Sequence, residues 1–524
     1  MLKEFKTKDL QGKLKYILEK LSEIFIAIMI IIFPLCVDST GFFKILECKY
    51  KYFLGISVTY ISLNIIILLY FLIFYKINYF KQIKFSKIQI AVMLFWVINV
   101  ISCLFSPYFN EYNLFIGVGR GEGLINITLY CFIFLFITLF GKFEKRYILY
   151  FSISSIILNT IAILQYIGFN PLNMYQDGIG THNVSFMITI GNIAFISAMF
   201  CILLTVSVIA FIFLEEPKTH KIIHFLSAFM GFFIFIIINV LGGRVAFLGI
   251  VLLLFPFIIT NSKRLSRAIL IFVSILAGLL INIIINPEYH YNIGKLQLYF
   301  QFNGITFMFC IVCIVLVFLA YVLSKRNFDL SKNKKLIIGM YLSVILIGVM
   351  ALTFVFFGNF ESGILYEVNG LLHGNFDDTF GTYRVFLWRR AFTLLDEHAL
   401  IGTGPDTFAI RFMDRYTDDV IALGEGQVSI NDTAANVYIT MLINIGIIGL
   451  ISYLIFIFLQ LQKGLKNKNS HSFVLLMAIV CYLIQDLFNL WVVIVTPIFW
   501  VLMAIHYLSI QDRRDDTKEK NYNK

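Results

Sequence analysis

Charge is what this chain of 524 residues has least of: Asp, Glu, Lys and Arg make up 14% of it, against about 25% in soluble domains. That deficit excludes an ordinary soluble domain, because the hydrophobic 59% falls in long runs with no charged face to present to water. A disulfide framework is missing too. Of eight cysteines, Cys36, Cys103, Cys131, Cys201, Cys310, Cys313 and Cys481 lie in apolar runs and only Cys48 lies outside. Cys310-x-x-Cys313 sits in mid-run without further ligands, which favours helix packing over a metal or redox role. The glycine-rich stretch from Gly117 to Gly123 follows no strand and lacks the spacing of a phosphate-binding loop, so no nucleotide site is expected. The Lys-rich, amphipathic residues 1–20 lack a small-residue cleavage site and read as a retained interfacial segment.

What is present is a series of fourteen apolar runs, at about 21–37, 53–75, 88–106, 124–140, 147–168, 186–213, 222–241, 245–261, 268–285, 304–324, 336–358, 436–461, 473–489 and 491–510. About 20 apolar residues suffice for one helical crossing, and lipid cannot satisfy bare backbone groups, so these runs must be helices. The expected fold is one all-α integral membrane domain over 1–524, with about fourteen spans. Lys and Arg set its orientation, since cytoplasmic loops retain positive charge. With the N-terminus inside, the even connections and both tails hold 31 of the 42 basic residues. Both termini, including the tail 511–524, are therefore expected in the cytoplasm, and residues 359–435 form one large extracytoplasmic loop. Lys44, Lys49 and Lys51 in the first outward loop dissent. The net charge of +11 decorates loops beside anionic headgroups, which leaves membrane lipids as partners and no nucleic acid.

Seven of the thirteen arginines nevertheless fall outside: Arg120, Arg244, Arg384, Arg389, Arg390, Arg411 and Arg415. Guanidinium binds phosphate oxygens at two points and stays charged, so an anionic ligand such as a lipid pyrophosphate is a natural partner. The alternative is pairing with outward Asp and Glu. From Tyr383 to Leu395, apolar Val385, Phe386, Trp388, Phe392 and Leu395 interleave with Arg384, Arg389 and Arg390. That spacing predicts an amphipathic helix lying on the outer membrane surface. The turn Gly402-Thr-Gly-Pro-Asp-Thr-Phe408 then allows close approach to a ligand, or is a surface turn.

These stretches resemble the O-antigen ligase and polymerase family of membrane glycosyltransferases, in its Gram-positive form. Phe380-Gly-Thr-Tyr-Arg384-Val-Phe-Leu-Trp388 and Gly402-Thr-Gly404-Pro-Asp406-Thr-Phe408 resemble the family's Gly-x-x-Arg-x-x-x-Trp helix and Gly-x-Gly-Pro-x-x-Phe turn. In order, Arg120-Gly-Glu122-Gly-Leu124, Gly191-Asn192 and Gly243-Arg244-Val-Ala246 resemble three further segments. Two positions depart. Asp432-Thr-Ala-Ala435-Asn436-Val-Tyr438 carries alanine where the family commonly has histidine, and the Gly-Asn-x-Asn pattern ends in Ala194.

The resemblance implies a C-type-like glycosyltransferase fold. It also implies transfer of a glycan from an isoprenoid pyrophosphate to a hydroxyl of a glycan or lipid acceptor, on the outer face of the cytoplasmic membrane. On that reading Arg244 and Arg384 bind the pyrophosphate, with Arg120 a third charge or the partner of Glu122. Glu122, Asn192, Trp388, Asn436, Tyr438 and Asp486 line the cavity. Cationic stabilisation of the leaving group needs no metal or cofactor, and the adjacent pairs Asp377-Asp378 and Asp418-Asp419 have diverging side chains unsuited to one. A base for the acceptor hydroxyl has to come from Asp432, Asp406, His373, His398 or Asp486, of which Asp432 and Asp406 lead. A lipid-linked glycan flippase is the rival class, although no internal repeat of the carrier kind occurs. A non-catalytic relative that binds the same lipid is the third possibility. Sugar, acceptor, oligomeric state and the choice between ligase and polymerase stay open.

Overall fold

The computed structural model describes residues 2–42, 44–77, 79, 83–167, 169–172, 174, 188–290, 295–300, 304–395, 398–423 and 432–522. Among these the fold is helical but for one hairpin. The chain opens with α1 (Leu2–Ala27), which continues into a π turn (Ile28–Ile32) and a 3-10 turn (Phe33–Leu35). There follow α2 (Ile45–Tyr75), α3 (Lys87–Leu104), α4 (Leu124–Phe140), α5 (Arg146–Tyr166), α6 (Ile193–Phe213), α7 (Lys218–Ile238), α8 (Leu241–Ile259) and α9 (Ser262–Ile284). Strands β1 (Ile285–His290) and β2 (Lys295–Phe300) pair antiparallel, Ile285 opposite Phe300, a feature the all-helical reading did not foresee. The rest comprises α10 (Gly304–Lys325), α11 (Lys334–Phe357), α12 (Gly363–Leu372), α13 (Phe380–Thr393), α14 (Phe408–Leu423), α15 (Val437–Lys466), α16 (Ser470–Gln485) and α17 (Thr496–Tyr522).

Eleven helices are long and apolar enough to cross a membrane. The other three apolar runs fall short: α4 and the apolar part of α17, Thr496–Gln511, are shorter, and run 21–37 is divided between α1 and its two turns. At about 1.5 Å per residue a 17-residue helix reaches only about 25 Å of the roughly 30 Å hydrocarbon layer. Helix length therefore supports a multi-pass membrane protein without establishing fourteen crossings.

The spans differ sharply in what surrounds them. α6 is buried over its whole apolar window and is the hub of the bundle, whereas α11 buries 6% of its window. Its exposed Leu346, Met350 and Phe354 suit lipid, in which apolar side chains lose nothing by exposure. Around α17 the core is aromatic: the fully buried Trp500 stacks on Tyr130 at 6.0 Å and on Phe456 at 5.5 Å.

One dissenting lysine now has a reason. Lys49 is no loop residue; it lies in α2, fully buried, and its ammonium donates to the carbonyls of Phe33 (3.0 Å) and Pro34 (2.7 Å). Those carbonyls close the turn after α1, where a helix end leaves acceptors without partners. Lys51 pairs with Glu47 one turn away at 2.7 Å.

Candidate functional site

The segment 359–435 holds α12, α13 and α14, with residues 396, 397 and 424–431 outside the described residues. Gly381, Thr382 and Tyr383 take positive φ (64°, 54° and 65°), so the regular helix of α13 starts only at Arg384. Its apolar face does not lie on a membrane surface. Phe386, Leu387, Ala391 and Leu394 pack with Phe408 and Phe412 of α14 and with Ala434 and Ile443 in a small second core. Trp388 locks this packing by donating its indole N–H to the Ala434 carbonyl at 2.9 Å.

The 402–408 turn is buried, and its glycines serve an approach of chain to chain. The N–H groups of Thr403 and Gly404 donate to the Asn444 carbonyl at 2.9 and 2.8 Å, beside the break in α15 at Gly446 (φ 70°). A Cβ on Gly402 would collide with that same carbonyl, and one on Gly446 with the Leu400 carbonyl. Two backbones cross here at a separation only glycine permits.

Asp406, at φ 60° on this turn, reaches across to the glycine-rich loop before α4. Its carboxylate accepts the backbone N–H groups of Gly119 (3.0 Å), Arg120 (3.1 Å), Gly121 (3.1 Å) and Glu122 (3.2 Å). Burial pushes Asp406 up to about 6, the four N–H groups pull the other way, and Asp432 adds to the rise. All four converge on Oδ2, and Oδ1 has only the Arg120 N–H at 3.4 Å, so Asp406 clamps the two segments together through one oxygen. Asp432, the other leading base candidate, forms an ion pair with Arg120. Arg120 thus pairs with Asp432 and not with Glu122, the partner offered as one alternative in the sequence. The Glu122 carboxyl, 9% exposed, instead accepts the Tyr130 hydroxyl at 2.9 and 3.0 Å. Burial pushes Glu122 up to about 8, with the Tyr130 hydrogen bond opposing and the charge of Asp406 reinforcing.

Four more arginines prove structural. Arg389 and Arg390 bind Asp378 at 3.2 and 2.9 Å, and Arg390 also binds Asp419 at 2.7 Å while lying 3.8 Å over the Phe386 ring. Arg411 donates to the carbonyls of Leu394 and Ile443, and Arg415 to the Thr393 carbonyl at 2.9 Å. The carbonyls of Thr393 and Leu394, at the C-terminal end of α13, attract cations there. Arg244 and Arg384 are tied neither to a carboxylate nor to the carbonyls at the end of α13 among the described residues. Arg384 donates to the Gly381 carbonyl (2.8 Å), Thr382 Oγ1 (2.7 Å) and the Phe488 carbonyl (3.1 Å), and its Nε is buried without a partner. Burial draws its pKa below the usual arginine value. Arg244 is exposed and makes one long bond, 3.4 Å, to the Ile236 carbonyl.

Arg384 meets the 3-10 turn Asp486–Phe488 at the end of α16, and the helix that carries Arg244 packs against the same turn. Arg384 binds the Phe488 carbonyl, while Gly242, two residues before Arg244, lies so close to Gln485 and Phe488 that a Cβ there would clash. Asp486 and Gln485 are buried with neither polar atom of either side chain hydrogen-bonded, and Ser197 Oγ and Asn489 Oδ1 are likewise unpartnered. The Trp491 indole N–H lies near Asp486 but outside hydrogen-bonding geometry. Several predicted lining residues turn out to be scaffold. Asn192 caps α6 through the Ala194 N–H at 2.8 Å. Asn436 caps α15 and donates to the Leu487 carbonyl at 3.0 Å, and the Tyr438 hydroxyl donates to the Leu483 carbonyl at 2.8 Å. His373 stacks on Phe356 and bonds the Asn369 carbonyl at 2.9 Å, and the His398 carbonyl accepts the Gly402 N–H. Ala435 sits at φ 48° in the second core.

Beneath the 402–408 turn a cavity partly open to solvent is lined by Arg120, Glu122, Asp406, Thr433 and Thr440. Asn99, Asn444 and Trp491 complete its wall and were missed in the sequence. The signal was there for the two asparagines: an amide in the middle of a span is expensive and marks a polar cavity or a helix contact. Among the described residues no three of His, Cys, Asp and Glu come together as a metal site.

Residues 296–454 match the family model described as O-antigen ligase. That segment is similar to the O-antigen ligase family. The match runs from β2 through Arg384, the 402–408 turn, Asp432 and Asn436 into α15. Arg120, Arg244 and Asp486 lie outside it and are brought to it by folding. No curated protein matches the chain. An O-antigen ligase domain within a multi-pass helical frame supports a membrane glycosyltransferase of ligase or polymerase type, acting on lipid-linked glycan in polysaccharide biosynthesis.

Proposed function

We propose that this chain is a member of the O-antigen ligase family and moves a glycan from an isoprenoid-pyrophosphate donor to an acceptor hydroxyl on the outer face of the cytoplasmic membrane. The 359–435 segment then faces outward, and both termini lie in the cytoplasm. The observation that carries this reading is the pair Arg244 and Arg384. Five of the seven arginines on that side are used up by carboxylates or helix-end carbonyls; of the other two, Arg384 bonds a turn whose buried polar neighbours lack partners, and Arg244 is exposed on the helix packed against that turn. A pyrophosphate bound there would leave with the electron pair of the glycosidic C–O bond, its growing charge met by two guanidiniums already in place. The acceptor oxygen takes over the anomeric carbon, and its proton passes to a base or to water.

The test is turnover by the purified chain with an isoprenoid-pyrophosphate-linked oligosaccharide, with and without chelator. Transfer that persists under chelator and is abolished by Arg244→Ala and by Arg384→Ala supports a metal-independent transferase. Donor binding without transfer to any acceptor, also after Ala435→His, would turn the assignment to a carrier of lipid-linked glycan.

A further inference from the structure

The cavity beneath the 402–408 turn is built differently from the arginine site. Asn99, fully buried in α3, spends its amide N–H on the Phe95 carbonyl at 2.8 Å, which leaves its Oδ1 unpartnered. Asn444 Oδ1 on α15, 8% exposed, is also unpartnered. Buried acceptors are rarely left without a donor, so two on one wall call for a hydrogen-bond donor in the space between. Trp491 supplies the aromatic surface, wedged edge-to-face against Tyr453 at 5.4 Å.

The charge of this wall does not suit the donor's anion. Its one cation, Arg120, is held by Asp432, and the carboxyl groups of Glu122 and Asp406 stand beside it. A pyrophosphate would find no unpaired guanidinium here. A neutral ring bearing hydroxyls would instead give its O–H protons to the two amide oxygens and lay an apolar face against the indole. We propose that this cavity is a subsite for one uncharged sugar ring of the acceptor glycan, distinct from the pyrophosphate site at Arg244 and Arg384. The proposal rests on the glycosyltransferase reading for its ligand class. It accounts for how one chain keeps donor and acceptor apart: phosphate goes to the unpaired guanidiniums, and hydroxyls go to the unpaired amides.

The full chain, in a detergent without a sugar headgroup, is titrated with glucose, galactose, mannose and N-acetylglucosamine, and separately with inorganic pyrophosphate. Saturation-transfer NMR reads the sugars and calorimetry reads the pyrophosphate. The expected result is millimolar binding of at least one sugar, weakened about tenfold by Asn99→Leu and by Asn444→Leu, the loss of roughly one hydrogen bond. Pyrophosphate binding should be unchanged in both variants. Where a leucine variant does not fold, judged by its melting curve, Trp491→Phe serves instead and should weaken the sugar alone. No sugar binding at about 50 mM, or binding that none of these variants alters, overturns the subsite. Pyrophosphate binding indifferent to Arg244→Ala and Arg384→Ala would instead defeat the donor assignment and leave the sugar subsite standing.

Discussion

Arg384 offers the sharpest test because its two contributions can be separated. In the free protein its guanidinium holds two backbone carbonyls and one hydroxyl, each a bond worth about 1.5–3 kcal/mol from a charged donor. Against them stands the cost of keeping a half-buried cation with no counter-charge. The two nearly cancel, so Arg384→Ala should change stability by no more than about 2 kcal/mol. Ligand binding has no such cancellation. Loss of a two-point guanidinium contact to phosphate oxygens removes about 3 kcal/mol, or roughly a hundredfold in Kd. Arg384→Lys restores the charge without the fork and should recover about tenfold of that. The assay is calorimetric titration of inorganic pyrophosphate and of an isoprenoid pyrophosphate into the solubilised chain, beside a melting curve. Arg390→Ala is the control: tied to Asp378 and Asp419, it should lower the melting temperature and leave Kd alone. Binding by Arg384→Ala within threefold of wild type, or an equal loss in Arg390→Ala, would refute the reasoning.

Three further outcomes are expected. Asp406→Ala removes the one oxygen that accepts four backbone N–H groups and should destabilise by about 2–4 kcal/mol in thermal unfolding; an unchanged melting temperature would deny the clamp. Gly402→Ala puts a methyl group into the Asn444 carbonyl at positive φ and should destabilise by more than about 1 kcal/mol, which a wild-type-like melting curve would contradict. Glu122 titrates near 8 when folded, against 4.5 as an ordinary side chain. Below 4.5 both states carry the proton; between 4.5 and about 8 the folded state keeps it while the unfolded chain releases it. Stability therefore falls as pH rises through that window, at up to about 1.4 kcal/mol per unit. Glu122→Gln should flatten the slope, and an equally steep slope in the variant would show that other groups set it.

The helices were legible because burial in lipid forces a local solution: each apolar run must satisfy its own backbone, and every run corresponds to helical structure. The hairpin after α9 was overlooked although Asn292-Ile-Gly294 and the alternating Lys295-Leu-Gln-Leu298 mark it, because it lies between two long apolar runs that dominate the hydropathy. Lys49 shows the limit of counting charges. Its ammonium looked like a loop charge until the carbonyls of Phe33 and Pro34, far behind it in the chain, came within reach.

The site divides along the same line. That Arg244 and Arg384 would matter was readable from residue type, because guanidinium stranded in an arginine-poor setting needs an anion. Which of seven arginines were free was not readable, since ion pairs such as Arg120 with Asp432 join residues hundreds of positions apart. For the same reason the carboxylate of Asp406 looked available in the sequence and holds the loop before α4 in the fold. The sequence alone determined that this is a helical membrane protein with an arginine-bearing site, because hydropathy and side-chain chemistry act residue by residue. Tertiary structure alone decided which arginines remain free, which carboxylates are spoken for and where two buried amides face one cavity, because pairing depends on distances that only the packed chain defines.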